Sequence, residues 1–395
     1  MIGAICFALI SCATAHPKDQ PQKKRSQNDS KQTKQARVEW TAGMRRMAST
    51  LENLMPYAFS REEFSNPRNE RKVNHLIRSF AKNVKGVPRH AGEKLLGEDP
   101  IVKFAIDRLQ TNANEAELAY QEGHVEFARN VLRQSMGLCF SCHTASEFGP
   151  QNRFSRIKLT SNFRIYPTER VNFYVATRQF NRAIDVLESV LKTPGQMMDD
   201  PHEQLQALRQ YLALEVRVKK NPARAASLVE SFLTQKNLPY FVASDAETWL
   251  QSLRRWQREK PSEDSRTLFA RARGLVQKGR ELQAGDSYEG GYVDFLRASA
   301  LLHESLRTSK NPMQKAKIYQ LLGSSYNILA NSGTWDLPEF YFEACVRSAP
   351  KTIIAKVCYR DFERAVVLGY SGSAGIFVPK EEQARMNELR ALAGL

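Results

Sequence analysis

Three chemically reactive side chains stand within five consecutive residues, Cys139-Phe140-Ser141-Cys142-His143, at the end of a stretch whose apolar residues recur every three to four positions. That period is helical. On a helix, thiols three positions apart share one face, and the histidine stands one turn beyond the first of them. A fold for this chain must therefore present one helical turn bearing two thiols and an imidazole, with room beside it. Gly and Pro number only 20 and 17 in 395 residues, too few for a turn-rich β protein. The expected fold class is all-α, and at roughly 100–200 residues per domain the length suggests two or three domains.

Residues 38–148 read as one four-helix bundle. Helix 1 spans Val38 to Phe59, with Trp40, Met44, Met47, Leu51, Leu54, Met55 and Ala58 on its apolar face. Asn66-Pro67 marks a break, and helix 2 follows from Arg68 to Val84. Gly86, Pro88 and Gly92 mark a longer loop. Asp99-Pro100 has the form of a helix start, an acid at the cap and proline at the first helical position. Its face is Ile101, Phe104, Ala105, Leu109 and Leu118. Helix 4 runs from His124 through Val131, Leu132 and Met136 into the cysteines.

The spacing C-x-x-C-H is the attachment signature for a covalent c-type haem. Two thiols on one turn reach the two vinyl groups of a single porphyrin, and the next residue supplies the proximal iron ligand. Cys139 and Cys142 are thus the expected attachment residues and His143 the expected proximal ligand, for one covalently bound haem c. Two rival chemistries fit this sequence less well. A thiol redox pair of the thioredoxin kind needs a βαβ setting, and the surroundings read as helix. A zinc site needs a further ligand pair, and none lies nearby in sequence.

A four-helix bundle with C-x-x-C-H near the end of its last helix resembles the class II c-type cytochromes, cytochrome c-prime and its low-spin relative cytochrome c-556, over residues 38–148. In the low-spin members a methionine on the first helix is the sixth ligand. The resemblance implies Met44 or Met47 for that place, with Met44 the better match to the helix 1–2 break, and core filling as the other role for either. His75, His90 and His124 are weaker candidates. The alternative is a five-coordinate iron with an open distal side. The resemblance also raises a homodimer through helix 1.

Residues 150–395 read as helix pairs with a period of about 34 residues, which resemble tetratricopeptide repeats. Tyr319, Leu322-Gly323 and Tyr326, then Phe342, Cys345 and Pro350, fill signature positions best. Earlier units fall at 164–195 and 203–236, and 240–308 is more degenerate. The other reading is an irregular helical solenoid or a second helical domain. Stacked helix pairs leave a concave groove for partner proteins. Basic clusters at Lys219-Lys220, Arg254-Arg255 with Arg258, and Arg271 with Arg273, Lys278 and Arg280 are candidates to line it, or are solvated helix faces. In the repeat register Cys345 and Cys358 face each other, so an oxidising compartment would join them. Two buried thiols are the alternative.

Residues 1–15, MIGAICFALISCATA, have the short apolar core and small-x-small ending of an export signal. Leu9-Ile10-Ser11-Cys12 overlaps it as a lipobox, which would make Cys12 a lipidation site and membrane tether. Residues 16–37 carry seven Lys or Arg against two Asp and almost no large apolar side chain, and read as a disordered basic linker. Beyond the first dozen residues no apolar run is long enough to span a bilayer. The net charge of +16 would ordinarily raise nucleic acid as a partner. Export to the periplasm of a bacterium excludes it, and the charge points to anionic lipid or an acidic redox partner. No Ser-His-Asp set, HExxH, P-loop or GxGxxG is present, so the chain is not expected to be an enzyme. The expected function is periplasmic electron transfer, with the repeats recruiting a redox partner or other protein. The alternative is a haem-based gas-binding or redox-sensing module.

Overall fold

The computed structural model describes residues 21–87, 99–145, 154, 156–160, 165–192, 200–259, 265–283, 289–330, 334–373 and 375–395. The segment read as an export signal, Cys12 and His90 lie outside them. Within them the chain is all-α, with sixteen α-helices and one two-residue hairpin, Ser371–Gly372 paired with Gly375–Ile376.

Five helical segments begin at an Asn-Pro or Asp-Pro dipeptide, and the mechanism is the same each time. The acid or amide oxygen accepts a backbone N–H of the first turn, and proline fills the position whose N–H has no partner. Asn66 accepts from Arg68 N at 3.0 Å, Asp99 from Ile101 N at 3.2 Å, and Asp200 from His202 N at 2.9 Å. Asn221 accepts from Arg224 N at 3.0 Å and Asn311 from Gln314 N at 3.2 Å.

Helices α1 (Pro21–Ala58), α3 (Glu70–Lys85), α4 (Pro100–Gln121) and α5 (Val125–Ala145) pack in a closed circuit, each on the next and α5 on α1. A short helix, α2 (Arg61–Phe64), buries Phe64 at one end and is capped by Ser60, which accepts from Glu63 N. The periodicity passes over it because four residues carry no period. Two expectations are corrected here. Helix 2 begins as α3 at Glu70, after a 3-10 turn at Pro67–Asn69. The supposed disordered linker is helical from Pro21 onward, as the first part of α1. Its Lys, Arg and Gln are good helix formers, it contains no Gly, and a helix already nucleated on the buried face beyond Val38 extends at little cost.

The remaining helices are α6 (Pro167–Ala176), α7 (Phe180–Lys192), α8 (Pro201–Ala213) running into a π turn (Leu214–Lys219), α9 (Pro222–Leu233) and α10 (Tyr240–Gln257). Then come α11 (Ser265–Gln283), α12 (Tyr292–Thr308), α13 (Pro312–Leu329), α14 (Leu337–Ser348), α15 (Ile353–Gly369) and α16 (Lys380–Ala393). Neighbours in sequence pack on one another: α6 on α7, α9 on α10, α11 on α12, α13 on α14, α14 on α15. Gly323 shows why the α13–α14 contact is close. A Cβ there would stand 2.5 Å from the Phe342 ring, so only glycine fits. Cys345 and Cys358 are joined by a disulfide with Cα atoms 6.1 Å apart, tying α14 to α15.

One buried apolar cluster runs through all of these helices. The first five helices are clamped to the last ones. Phe104 on α4 meets Phe340 on α14 edge to face at 4.9 Å, and Arg108 pairs with Asp336. On the other side α5 packs against α6, the π turn and α12, and Arg133 reaches Glu169 at 2.5 Å. Several members of the basic clusters pair with neighbouring side chains, and Lys220, Arg254, Arg258, Arg273 and Arg280 are exposed. Arg254 pairs with Glu230, Arg255 with Asp294 at 2.8 Å, Arg271 with Glu259 at 3.3 Å and Lys278 with Glu281 at 3.1 Å. Arg280 donates to Ser324 Oγ at 2.8 Å and Lys219 to Asn181 Oδ1 at 2.7 Å.

Candidate functional site

The C-terminal half of α5 is buried around nearly its whole circumference from Ser135 to Ser141. A helix of that kind lies between two layers: here α1 and α4 on one side, α6 and the π turn on the other. Cys139 is buried and Cys142 half-buried, and the two thiols are not joined to each other. Burial pushes both thiols up to about 12, helped for Cys139 by Cys142 and for Cys142 by Asp99. Thiol-exchange cysteines have the opposite setting, with a lowered pKa beside a cation or a helix N-terminus. Among the described residues no group of three or more His, Cys, Asp or Glu converges as an all-protein metal site requires.

His143 is the oriented member of the motif. Its Nδ1 lies 2.9 Å from the Val175 carbonyl at the end of α6. A carbonyl only accepts, so Nδ1 carries the proton and Nε2 the lone pair. Burial, and secondarily the Arg178 charge, push the imidazole down to about 4, so it is neutral at physiological pH. A neutral imidazole whose far nitrogen is held by a backbone carbonyl is the usual arrangement of a metal-ligating histidine. The donor set fits a haem: two thiols and an imidazole on one turn, with the imidazole fixed in the tautomer that can bind iron through Nε2.

On α1, Met47 is buried and Met44 half-buried against the core. Arg129 Nη1 donates to the Ala58 carbonyl at 3.2 Å, which pins the start of α5 to the end of α1. From that contact, Met44 lies as far back along α1 as His143 lies forward along α5, about 21 Å at a rise of ~1.5 Å per residue. The two residues are therefore at one level of the antiparallel pair. His75 and His124 are exposed.

A buried polar network abuts the motif, and sequence reasoning missed most of it. Asp99 both caps α4 and accepts the Tyr341 hydroxyl on Oδ1 at 3.0 Å. Its Oδ2 meets His303 Nδ1 at 2.5 Å, and His303 Nε2 meets the Tyr326 hydroxyl at 2.9 Å. Tyr326 and Tyr341 stack with centroids 5.4 Å apart. Asp99 was legible only as a cap and Tyr326 only as a repeat position. His303 gave no signal, because its partner is two hundred residues away in sequence. Beyond Phe140, a cavity of about 350 Å³ is bordered by Gln210, Tyr292, Trp335 and the bidentate Arg209–Glu289 pair, with both N–O distances 2.6 Å.

Compared with known protein families, with curated proteins and with solved structures, the chain finds no match.

Proposed function

We propose that this chain is an exported mono-haem c-type cytochrome that carries electrons in the bacterial periplasm. In this reading α1, α3, α4 and α5 form a four-helix haem bundle. The helices from α6 onward form a tetratricopeptide-like array that recruits a redox partner or other protein. Cys139 and Cys142 hold the haem, His143 is the proximal ligand, and Met44 or Met47 is the distal one. Cys12 tethers the mature chain to the membrane. The chain is a carrier and not an enzyme.

The observation that carries the reading is the bond from His143 to the Val175 carbonyl on a turn whose two thiols are not joined. The bound group would supply reversible one-electron exchange. The protein's part would be to hold His143 neutral and oriented, to exclude water around Cys139 by burial, and to offer a methionine thioether from α1. A methionine ligand raises the potential and closes the iron to gases, which suits electron transfer. The level of Met44 on α1 supports that ligand.

An optical spectrum of the purified chain tests this. A covalent haem whose reduced, low-spin spectrum ignores CO is expected, and replacing Met44 or Met47 by Ala singly should open the iron to CO in one of the two. A high-spin iron that binds CO in the wild type would instead favour a gas-binding or sensing module. Retention of haem by Cys139→Ala/Cys142→Ala through denaturation would refute covalent attachment at the motif.

A further inference from the structure

Connections between helices ordinarily run over the surface, but the turn from α6 to α7 is buried. Thr177 and Gln179 are sealed from solvent, and Arg178 between them is 9 % exposed. The flanking side chains satisfy the turn. Thr177 Oγ1 donates to the Phe173 carbonyl at 2.9 Å. Gln179 Nε2 donates to Thr177 Oγ1 at 2.8 Å and to the Ile157 carbonyl at 2.9 Å. Arg178 has a φ of 55°, the left-handed conformation in which many helices end. Glycine takes that place at no steric cost, whereas an arginine there keeps its side chain at a price in conformational energy. The guanidinium lies over the Phe180 ring, 5.1 Å from the centroid.

This turn meets the C-x-x-C-H motif at one atom. The Val175 carbonyl accepts from His143 Nδ1 at 2.9 Å and from the backbone N–H of Arg178 at 2.9 Å. A carbonyl oxygen has two lone pairs, one for each of these donors. The Arg178 backbone and the His143 ring therefore stand no more than two hydrogen bonds apart. The side-chain charge reaches the motif as well. After burial, Arg178 is what keeps the His143 imidazole neutral. At the Cys142 thiol, which burial and Asp99 push up, Arg178 acts in the opposite direction.

We propose that Arg178 is a positioning residue for the iron ligand: its N–H fixes the carbonyl that orients His143, and its buried charge raises the reduction potential of an iron held at His143 Nε2. The inference rests on the haem reading above. Two influences then act on that ligand in opposite senses. The bond from Nδ1–H to a carbonyl makes the imidazole a stronger donor, which favours the oxidised iron. The Arg178 N–H draws on the same oxygen and weakens that influence. The guanidinium opposes the extra positive charge of the oxidised iron, and burial makes this repulsion stronger than it would be in water. A guanidinium does not lose its proton at physiological pH, so the bias is permanent. The turn after α6 thereby sets the potential of the carrier as well as the tautomer of its ligand.

The test uses the full chain produced with haem attachment, as wild type, Arg178→Gly, Arg178→Gln and Arg178→Lys. Covalent haem per chain is counted from the alkaline pyridine spectrum, and the midpoint potential is measured by redox titration. Arg178→Gly removes the charge and keeps both the N–H and the left-handed turn, which glycine adopts freely. It should lower the potential by on the order of tenfold in the oxidised-to-reduced ratio, ~59 mV for a one-electron couple. Arg178→Gln also removes the charge and should lower the potential to a similar extent, which keeps the test alive if the glycine variant does not fold. Arg178→Lys keeps the charge and should hold most of the wild-type potential. If the two uncharged variants keep the wild-type potential with haem attached, the inference is overturned and the proposed function stands. Equal lowering in Arg178→Lys and Arg178→Gln would trace the effect to packing instead of charge, and overturns it too. A wild-type chain without covalent haem overturns the proposed function, and this inference with it.

Discussion

Replacing Asp99 separates three jobs that one carboxylate performs. It caps α4, accepts the Tyr341 hydroxyl and holds His303, all in a buried setting. Asp99→Ala removes the cap, worth about 1 kcal/mol. It also leaves the Tyr341 hydroxyl and one nitrogen of His303 buried without a partner, at about 1–3 kcal/mol each. The expected loss is roughly 4 kcal/mol. Asp99→Asn keeps an oxygen for the cap and for Tyr341. Its Nδ2 can donate to His303 Nδ1 if the ring takes its other tautomer, in which Nε2–H donates to Tyr326. That variant should lose only about 1–2 kcal/mol. Urea unfolding of both variants and wild type measures the difference. With a slope of at least ~3 kcal/mol/M for a chain this long, the Ala midpoint should fall by about 1 M and the Asn midpoint by less than half of that. If the two variants are equally destabilised, the hydrogen-bond reasoning fails and a charged Asp99–His303 pair takes its place. If Asp99→Ala costs no more than an ordinary cap, the network does not clamp the first five helices to the rest.

Glu215 is buried, its oxygens lack hydrogen-bond partners, and burial raises its pKa to about 7. A carboxylate raised in the folded state favours folding at low pH and weakens it as pH climbs from the unfolded value through 7. Glu215→Gln should therefore match wild type near pH 4.5 and exceed it by about 2–3 kcal/mol at pH 8, and parallel pH–stability curves would contradict this. Removing the Cys345–Cys358 disulfide by double substitution to Ala should cost about 3 kcal/mol for a loop this short, read as a lower denaturation midpoint that reductant no longer changes. Gly323→Ala drives a methyl into the Phe342 ring and should destabilise by about 1–3 kcal/mol. In a Phe342→Leu background the same change should be neutral or favourable, since alanine is the better helix former. Equal effects in the two backgrounds would mean that the ring is not what excludes a side chain.

The parts of this fold that the sequence made legible are those whose causes are local. Asp99-Pro100 announced a helix because cap and proline act within one turn, and the α5 face was readable from its period. That Cys139, Cys142 and His143 share one helix was readable because their spacing is local. The start of α1 was misread for an equally local reason. A segment rich in Lys and Gln has too little apolar surface to fold alone, yet it propagates a helix nucleated next door. Contacts between distant segments were not legible at all. Nothing near His303 indicates that it meets Asp99, and nothing near Arg217 indicates that α8 ends in a π turn. Nor does a charge count show which arginines cross to a neighbouring helix, as Arg255 does to Asp294.

Those long-range contacts change how the C-x-x-C-H turn should be understood. The stretch of helix that leads into it, Ser135 to Ser141, is buried on nearly every side, which a free-standing bundle would not require, since one face would remain in water. The acceptor that orients His143 belongs to α6, and the partners of Asp99 belong to α12 and α14. The helices after α5 therefore complete the environment of the motif: they help to bury Cys139 and set the tautomer of the His143 imidazole. A partner bound to those helices would be coupled to the motif through rigid packed contacts, the His143–Val175 bond first among them.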